Sequence, residues 1–195
     1  MIHIIIGNQG SGKTLLMCRL ALEAYKKKKT IYSNINFKFP YKKINYNDII
    51  QCNYSNAAVF IDELHLLLPN RRSMSKINIE ITNSFISQVR KQNLELYGSS
   101  QRFLKNDIKV RDETDYLYEC KKYIFQNGVF QNTHTNENLS VKTPIVISAK
   151  ITEISTMESH NISFVGNPYF KWYDTKEIIK IEGIEEKDDP FTLVV

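Results

Sequence analysis

The stretch with the clearest chemical potential is GNQGSGKT, residues 7–14, which fits the pattern G-x-x-x-x-G-K-[ST] at every fixed position. Glycines let a backbone curl around an anion without side-chain clashes. The amides of such a turn, followed by the positive end of a helix dipole, bind phosphate oxygens. The apolar run before it, residues 2–6, predicts a strand, and the apolar residues after it predict a helix. Residues 7–14 therefore predict a phosphate-binding loop.

Two side chains of this loop have specific predicted roles. Lys13 is expected to reach the β- and γ-phosphates of a nucleoside triphosphate, and the hydroxyl of Thr14 is expected to bind Mg²⁺. We therefore predict ATP and Mg²⁺ as cofactors. The predicted nucleotide-binding residues are Gly7, Asn8, Gln9, Gly10, Ser11, Gly12, Lys13 and Thr14.

An acidic pair provides the second half of a hydrolytic site. The continuous apolar run 57–61 predicts a strand that is buried on both faces, and Asp62 and Glu63 follow it directly. Because the carboxyl ends of parallel strands gather at one edge of a sheet, we expect this pair to face the phosphate loop. Asp62 would hold a water of the Mg²⁺ shell, and Glu63 would orient and deprotonate the attacking water. This arrangement predicts hydrolysis of a γ-phosphate.

Gln101 and several arginines are candidates for completing the site. Gln101 follows a short predicted strand over 94–97, which we expect beside the Asp62 strand, so its amide would contact the γ-phosphate or the lytic water. Arg90 ends a helix predicted over 79–92 and would neutralise transition-state charge in a neighbouring subunit. For each of these residues the alternative is an ordinary surface side chain. The other candidate arginines are Arg71, Arg72, Arg102 and Arg111.

Composition places the chain among ordinary globular proteins. Its 195 residues suffice for a sizeable core, and 42% of them are apolar. No run reaches about 18 apolar residues and the start lacks a signal-peptide pattern, so we expect a soluble, cytoplasmic protein without a membrane span. The scattered cysteines are expected to be buried thiols in a reducing compartment. The formal charge of +5 permits a polyanionic partner.

The remaining pattern predicts an α/β fold with a mainly parallel central sheet flanked by helices. A helix is expected over 14–28 and a strand over 30–35. The polar segment 70–78 is expected to be mobile, and residues 126–140 to form a loop or hairpin tip. The second half is β-rich, with strand patterns over 116–125, 143–153 and 162–165.

The same pattern contains no repeat and no linker, so we predict one domain over residues 1–182. It would comprise a nucleotide-binding core, residues 1–125, and a β-rich completion, residues 141–182. Residues 183–195 would form a loosely held C-terminal tail.

Taken together, these motifs resemble the zonular-occludens-toxin-like branch of the FtsK–HerA ATPases over about residues 2–180. The Gln101 element separates this group from most other loop-type NTPases. The segments that carry the resemblance are 4–14, 32–35, 61–65 with Pro69, Arg71 and Arg72, 88–92, 100–102, Arg111, Asp115, Cys120, and 173–175 with Glu177.

The resemblance implies a RecA-like P-loop NTPase core that assembles into a homo-oligomeric ring, with ATP at subunit interfaces and DNA through the centre. It implies an ATP-hydrolysing motor that translocates DNA, most simply for viral genome packaging in the host cytoplasm, with capsid or assembly proteins as further partners. DNA would contact the basic segment 71–76 and the predicted hairpin near 126–138 through its phosphates, independently of base sequence.

Three other functions remain open at this point. A phage assembly or export ATPase of the zonular occludens toxin type is one, although such members often carry a membrane span. A nucleotide or metabolite kinase is another, but residues 126–142 contain none of the arginines that a kinase lid would need. A structural subunit that binds ATP without hydrolysing it is the third, and the intact Lys13, Thr14, Asp62 and Glu63 count against it.

Overall fold

The computed structural model describes residues 1–44, 54, 56–68, 76–92, 94–126, 129–132 and 143–174. Within these residues, four α-helices pack on a nine-stranded sheet. The strands are β1 (Ile2–Ile6), β2 (Thr30–Ser33), β3 (Lys42–Lys43), β4 (Ala57–Ile61), β5 (Glu95–Ser100), β6 (Tyr116–Gln126), β7 (Val129–Asn132), β8 (Ile145–Glu153) and β9 (Ser159–Val165). The helices are α1 (Lys13–Lys26), α2 (Leu64–Leu67), α3 (Lys76–Lys91) and α4 (Ile108–Asp112).

The sheet has the order β3-β2-β4-β5-β1-β6-β8-β9, with β7 paired to β6. Every pairing from β3 to β6 along this order is parallel. Strands β7, β8 and β9 complete the sheet in antiparallel pairings. This confirms the predicted α/β fold, with a mainly parallel sheet and a β-rich C-terminal part. The parallel order also brings the carboxyl ends of β1, β4 and β5 to one edge.

The core lies in two layers, one on each face of the sheet. Strand β4 belongs to both, because Phe60 packs into the layer under α1 whereas Val59 packs into the layer under α3. All five residues of β4 are buried, as predicted for the apolar run 57–61. The side chains of α1 that contact the first layer include Leu16, Met17 and Ala21. Because β4 is buried on both faces, the point at which the chain leaves this strand is fixed, and with it the position of Asp62.

Strand β5 is longer than the sequence predicts. The sequence Gly98-Ser99-Ser100 was expected to end the strand, but it continues to Ser100 in register with β1. The reason is packing, because the side chain of Leu64 on α2 occupies the space that a Cβ at Gly98 would need. The small residues therefore let α2 lie directly on the strand.

Other differences occur at element ends. Helix α3 begins at Lys76, so residues 76–78 are helical rather than part of a mobile segment. Residues 167–172 form a 3-10 helix instead of extending the β-rich part, since Pro168 favours the start of a helical turn.

Several predictions concern residues outside the described part of the chain. They include Arg71, Arg72, residues 73–75, residues 133–138, Cys52 and the tail 183–195. Cys18 and Cys120 are buried free thiols, and burial raises the pKa of each to about 12. Within the described ranges, no helix is both long enough and apolar enough to cross a membrane.

Candidate active site

The predicted phosphate loop connects β1 to α1 as a tight turn. The amide of Ser11 donates to the carbonyl of Asn8 at 3.1 Å, and α1 begins directly after Gly12. Gly12 has φ of 89°, a left-handed conformation that favours glycine. A Cβ at this position would also collide with the side chain of Ile147 on β8. The backbone conformation therefore favours glycine here, and a larger residue would also have to displace the end of the Ile147 side chain.

The interior of this loop suits an anion. The ammonium of Lys13 lies within the turn and donates to the carbonyl oxygens of Gly7 at 3.0 Å and Asn8 at 3.1 Å, and the residue is only 7% exposed. The hydroxyl of Ser11 is buried, with no hydrogen-bond partner among the described residues. A buried cation and an unsatisfied hydroxyl in one turn fit a polyphosphate, which supplies acceptors for both.

The acidic pair lies against this loop. The hydroxyl of Thr14 donates to Oδ2 of Asp62 at 2.8 Å, although the residues are 48 positions apart in the chain. The predicted placement of the loop opposite the end of β4 is thereby confirmed. Mg²⁺ is commonly held by one or two protein oxygens together with phosphates and water. The Thr14 hydroxyl and the Asp62 carboxylate fit that requirement.

Asp62 is held by the two strands that flank β4. The side chain of Asn34, just after β2, donates to the carbonyl of Asp62 at 2.9 Å and accepts from its amide at 2.8 Å. From β5, the hydroxyl of Ser99 donates to Oδ1 of Asp62. We assigned no role to Asn34 or Ser99 from the sequence. The signal that could have identified them is a polar side chain at the carboxyl end of each neighbouring strand.

Glu63 has an unusual backbone and an unsatisfied carboxylate oxygen. Its φ and ψ are both 52°, a left-handed conformation that is uncommon for residues other than glycine. Its amide donates to the hydroxyl of Ser99 at 3.0 Å. Its Oε2 lies 3.3 Å from Nδ1 of His65 without hydrogen-bond geometry, and neither atom has another partner among the described residues. Such local strain is common at functional sites.

Gln101 lies beside the loop, directly after β5. Together with Gly7, Asn8 and Arg102 it lines a cavity of about 540 Å³. Its Oε1 accepts from the ammonium of Lys105 at 3.0 Å. The predicted strand before Gln101 does lie beside the Asp62 strand, since β5 pairs with β4, whereas the contact of Gln101 with a phosphate or water stays a prediction.

Arg90, on α3, lies near the edge of the sheet that is opposite the phosphate loop. Its guanidinium contacts the carboxylates of Glu113 at 2.5 Å and Asp115 at 3.2 Å. Asp115 in turn accepts from the amide of Ile2, at the amino end of β1, at 2.6 Å. Arg90 therefore cannot reach the loop of its own chain, and its action on a neighbouring subunit stays a prediction. Its two ion pairs across the fold were not expected from the sequence.

The fold is similar to those of two kinds of solved protein. The N-terminal domain of zonular occludens toxin from Neisseria meningitidis matches with a TM-score of 0.58 and 18% identity, over 89% of this chain and 98% of that chain. The genome packaging NTPase B204 of Sulfolobus turreted icosahedral virus 2, in complex with ATP-gammaS, matches with a TM-score of 0.53 and 13% identity, over 82% and 95%. The DNA-packaging ATPase B204 from Sulfolobus turreted icosahedral virus matches with a TM-score of 0.52 and 15% identity, over 82% of this chain and 95% of that chain.

At these identities the similarity establishes the fold alone. The predicted resemblance is confirmed at the level of the fold, because the similar structures are the zonular occludens toxin domain and the genome packaging NTPases. No protein-family model matches the chain, and no curated protein matches it significantly.

Proposed function

We propose that this chain is a Mg²⁺-dependent ATP hydrolase that moves DNA, with viral genome packaging as its role. The observation that carries the proposal is the 2.8 Å contact between Thr14 and Asp62, which joins a phosphate loop to an acidic strand end. Similarity of the fold to genome packaging NTPases supports the assignment to a motor.

The hydrolytic step follows from the positions of five side chains. Lys13 and the loop amides bind the β- and γ-phosphates, and Thr14 and Asp62 hold the metal. Mg²⁺, when bound, neutralises charge on the phosphates. The carboxylate of Glu63, the residue directly after Asp62, accepts the proton of the attacking water. Gln101 orients the water or the γ-phosphate from the neighbouring strand.

DNA is the proposed polyanionic partner of a homo-oligomeric ring. The net charge of +5 supports such a partner. A groove of about 570 Å³ at the end of α1, lined by Lys26, Lys28 and Lys42 among others, is a positively charged surface in addition to the predicted segment 71–76. Contacts from these lysines would go to phosphates, so binding would be independent of sequence and sensitive to salt.

The motor proposal is tested by measuring phosphate release and oligomeric state together, with and without duplex DNA. We expect DNA to increase the rate of hydrolysis under conditions in which the chain forms a ring, and salt to reduce the increase. Lys13→Ala serves as the inactive control. If the chain hydrolyses ATP as a monomer, at a rate that DNA does not change, the motor proposal is contradicted and the ATPase proposal still holds.

The zonular occludens toxin domain, with the TM-score of 0.58, favours an assembly or export ATPase as the second candidate. Single-stranded DNA in place of duplex DNA in the same assay separates the two, because an export ATPase for a single-stranded genome would respond to the single strand. The same assay separates the remaining alternatives. A kinase would release little phosphate until an acceptor was supplied, and a structural subunit would bind ATP and release none.

A further inference from the structure

The groove at the end of α1 combines an apolar lining with a cationic rim. Its apolar lining is formed by Tyr25, Ile31, Pro40 and Tyr41, next to the lysines Lys26, Lys28 and Lys42. The phosphates of a nucleic acid match the lysines but leave the apolar lining without a counterpart. A ligand that fits the whole groove therefore carries acidic groups together with an apolar part.

The rim presents positive charge that the described part of the chain does not neutralise. Lys26 and Lys28 are exposed and form no ion pair with any described residue, whereas Lys29 pairs with Glu95 at 2.6 Å. The helix dipole favours cations at the end of α1, but it does not account for Lys42, which lies on the separate strand β3. Cations from two elements thus face one groove.

The C-terminal tail, residues 183–195, has the chemistry that this groove would accept. Residues 185–189 contain four carboxylates and one lysine, and the apolar side chains of Phe191, Leu193 and Val194 follow within a few positions. The tail lies outside the described residues and has no part in the hydrolytic site. Its acidic part matches the rim of the groove, and its apolar part matches the lining.

The last described residue lies close to one wall of the groove. The amide of Asp174 donates to the carbonyl of Asn36 at 3.2 Å, and the hydroxyl of Tyr41 donates to the side chain of the same Asn36 at 2.7 Å. Tyr41 belongs to the apolar lining. The stretch of chain from Asp174 to Glu185 spans up to about 36 Å when extended. The acidic part of the tail is therefore long enough to reach the groove of its own chain.

We propose that the tail docks in this groove of its own chain, with its carboxylates on the lysines and Phe191 against the apolar lining. The docking itself does not depend on nucleic acid. Its consequence rests on the proposed function, because a docked tail covers lysines that would bind DNA phosphates. A tethered segment has an effective concentration of about millimolar at its site, so DNA displaces the tail most readily where one duplex contacts several subunits.

The docking is tested by measuring how fast an N-hydroxysuccinimide ester of acetic acid acetylates individual lysines of the full chain. Mass spectrometry of peptides locates each modified lysine, and the reaction is run at two protein concentrations. The tail variant combines Glu185→Gln, Glu186→Gln and Asp188→Asn, which remove three charges with little change in size. The control variant combines Glu80→Gln, Glu158→Gln and Asp112→Asn, three exposed carboxylates elsewhere in the chain.

In the tail variant, we expect Lys26 and Lys28 to react several-fold faster than in the wild type. Lys27 provides a reference in the same protein, because it is exposed but does not line the groove. Its rate should be the same in the wild type and in the tail variant. The control variant should react like the wild type at all three lysines.

The apolar part of the tail is tested separately with Phe191→Ala. Its matched control is Phe125→Ala, which removes a ring that is 39% exposed on β6. We expect Phe191→Ala to increase the acetylation of Lys26 and Lys28, by less than the tail variant does, and Phe125→Ala to leave it unchanged. A tail held by charge alone would give no increase with Phe191→Ala, which would overturn the proposed contact with the apolar lining.

Competition is tested by measuring the affinity of the same proteins for duplex DNA at one salt concentration. The loss of three exposed ion pairs between tail and groove should let the tail variant bind DNA about tenfold more tightly than the wild type. The control variant has the same net charge as the tail variant, so it measures the general effect of charge, which should be smaller.

The outcomes separate this inference from the proposed function. Equal acetylation of Lys26 and Lys28 in the wild type and the tail variant would overturn the docking, and so would an equal acceleration at Lys27. Loss of protection on dilution would place the tail on a second copy and overturn docking within one chain. Unchanged DNA affinity in the tail variant would overturn the competition. If no variant binds DNA although the lysines are protected, the docking holds and the proposed DNA-moving function is contradicted.

Discussion

At the scale of single residues, phosphate binding by the loop depends most on Lys13. Its ammonium lies 3.0 Å from the carbonyl oxygen of Gly7, so the charge is already inside the turn that would receive a phosphate. Lys13→Ala should weaken ATP binding by about a hundredfold, because charged hydrogen bonds to phosphate are lost. Turnover should disappear with it. Calorimetric titration with ATP measures this, with Lys150→Ala as the control, and wild-type affinity in Lys13→Ala would refute the loop assignment.

A second residue-scale prediction concerns His3 and pH. His3 is buried between the rings of Tyr97 and Tyr116, at centroid distances of 4.3 Å and 5.1 Å, and burial lowers its pKa from 6.5 to about 4. Between these two values the unfolded chain binds the proton and the folded chain does not. Stability from neutral His3 is therefore complete above pH 6.5 and is lost as the pH falls towards 4, by up to about 3 kcal/mol.

The measurement is urea unfolding of the wild type and of His3→Phe at pH 7 and near pH 4.5. His3→Phe keeps a buried ring but cannot be protonated. We expect the wild type to lose more free energy of unfolding on acidification than the variant does. Equal losses in the two proteins would mean that His3 contributes nothing to the pH dependence.

Residue roles set by local spacing could be predicted, and those set by contacts across the sheet could not. Lys13 and Asp62 belong to short motifs whose chemistry is evident in the sequence. Ser99 contacts Asp62 from 37 positions away, and its role depends on the order of β4 and β5 in the sheet. Arg90 shows the same difficulty, because its partners Glu113 and Asp115 lie on a later segment of the chain.

At the scale of elements, the end of β2 positions the end of β4. The two hydrogen bonds between the side chain of Asn34 and the backbone of Asp62 replace one step of strand pairing. Asn34→Ala leaves these buried backbone groups without partners. We expect a loss of about 1–3 kcal/mol in the free energy of unfolding, and a fall in hydrolysis because Asp62 and Glu63 lose their support.

The change is measured as the thermal midpoint and as kcat for phosphate release. Asn161→Ala, on the exposed face of β9, is the matched control. If Asn34→Ala lowers stability but leaves kcat unchanged, Asn34 supports the fold without positioning the acidic pair.

Element types were easiest to predict where burial is complete. The apolar runs 2–6 and 57–61 became β1 and β4, because a strand covered on both faces needs apolar residues throughout. Strand β5 extends past the predicted end because Leu64 covers Gly98, and a strand made of small residues cannot be distinguished from a turn without that contact.

At the scale of the whole molecule, the parallel sheet separates the phosphate loop from Arg90. The phosphate loop and Asp62 lie at the carboxyl edge. Arg90 lies near the amino end of β1, because it contacts Asp115, which accepts a hydrogen bond from the amide of Ile2. A role for Arg90 in catalysis therefore requires a second subunit. The fold could be predicted from the motifs and their resemblance. The ring is implied by the resemblance alone and stays a prediction, since the contacts that would form it belong to other chains.

The ring prediction is tested by mixing two inactive variants. Arg90→Ala subunits retain Glu63, and Glu63→Gln subunits retain Arg90, so a mixed ring should contain some interfaces with both groups and recover part of the hydrolysis. Because Arg90 also holds Glu113 and Asp115, the thermal midpoint of Arg90→Ala must be measured alongside. No recovery in mixed rings of folded subunits would exclude Arg90 as the residue that acts in trans.

The central claim is that residues 7–14 and the acidic pair form one hydrolytic centre. The most direct measurement is phosphate release by Glu63→Gln, with ATP affinity determined on the same protein. We predict affinity close to that of the wild type and hydrolysis reduced by about a hundredfold or more, since the general base is lost while the phosphate loop is intact. Hydrolysis by Glu63→Gln at the wild-type rate would contradict the claim.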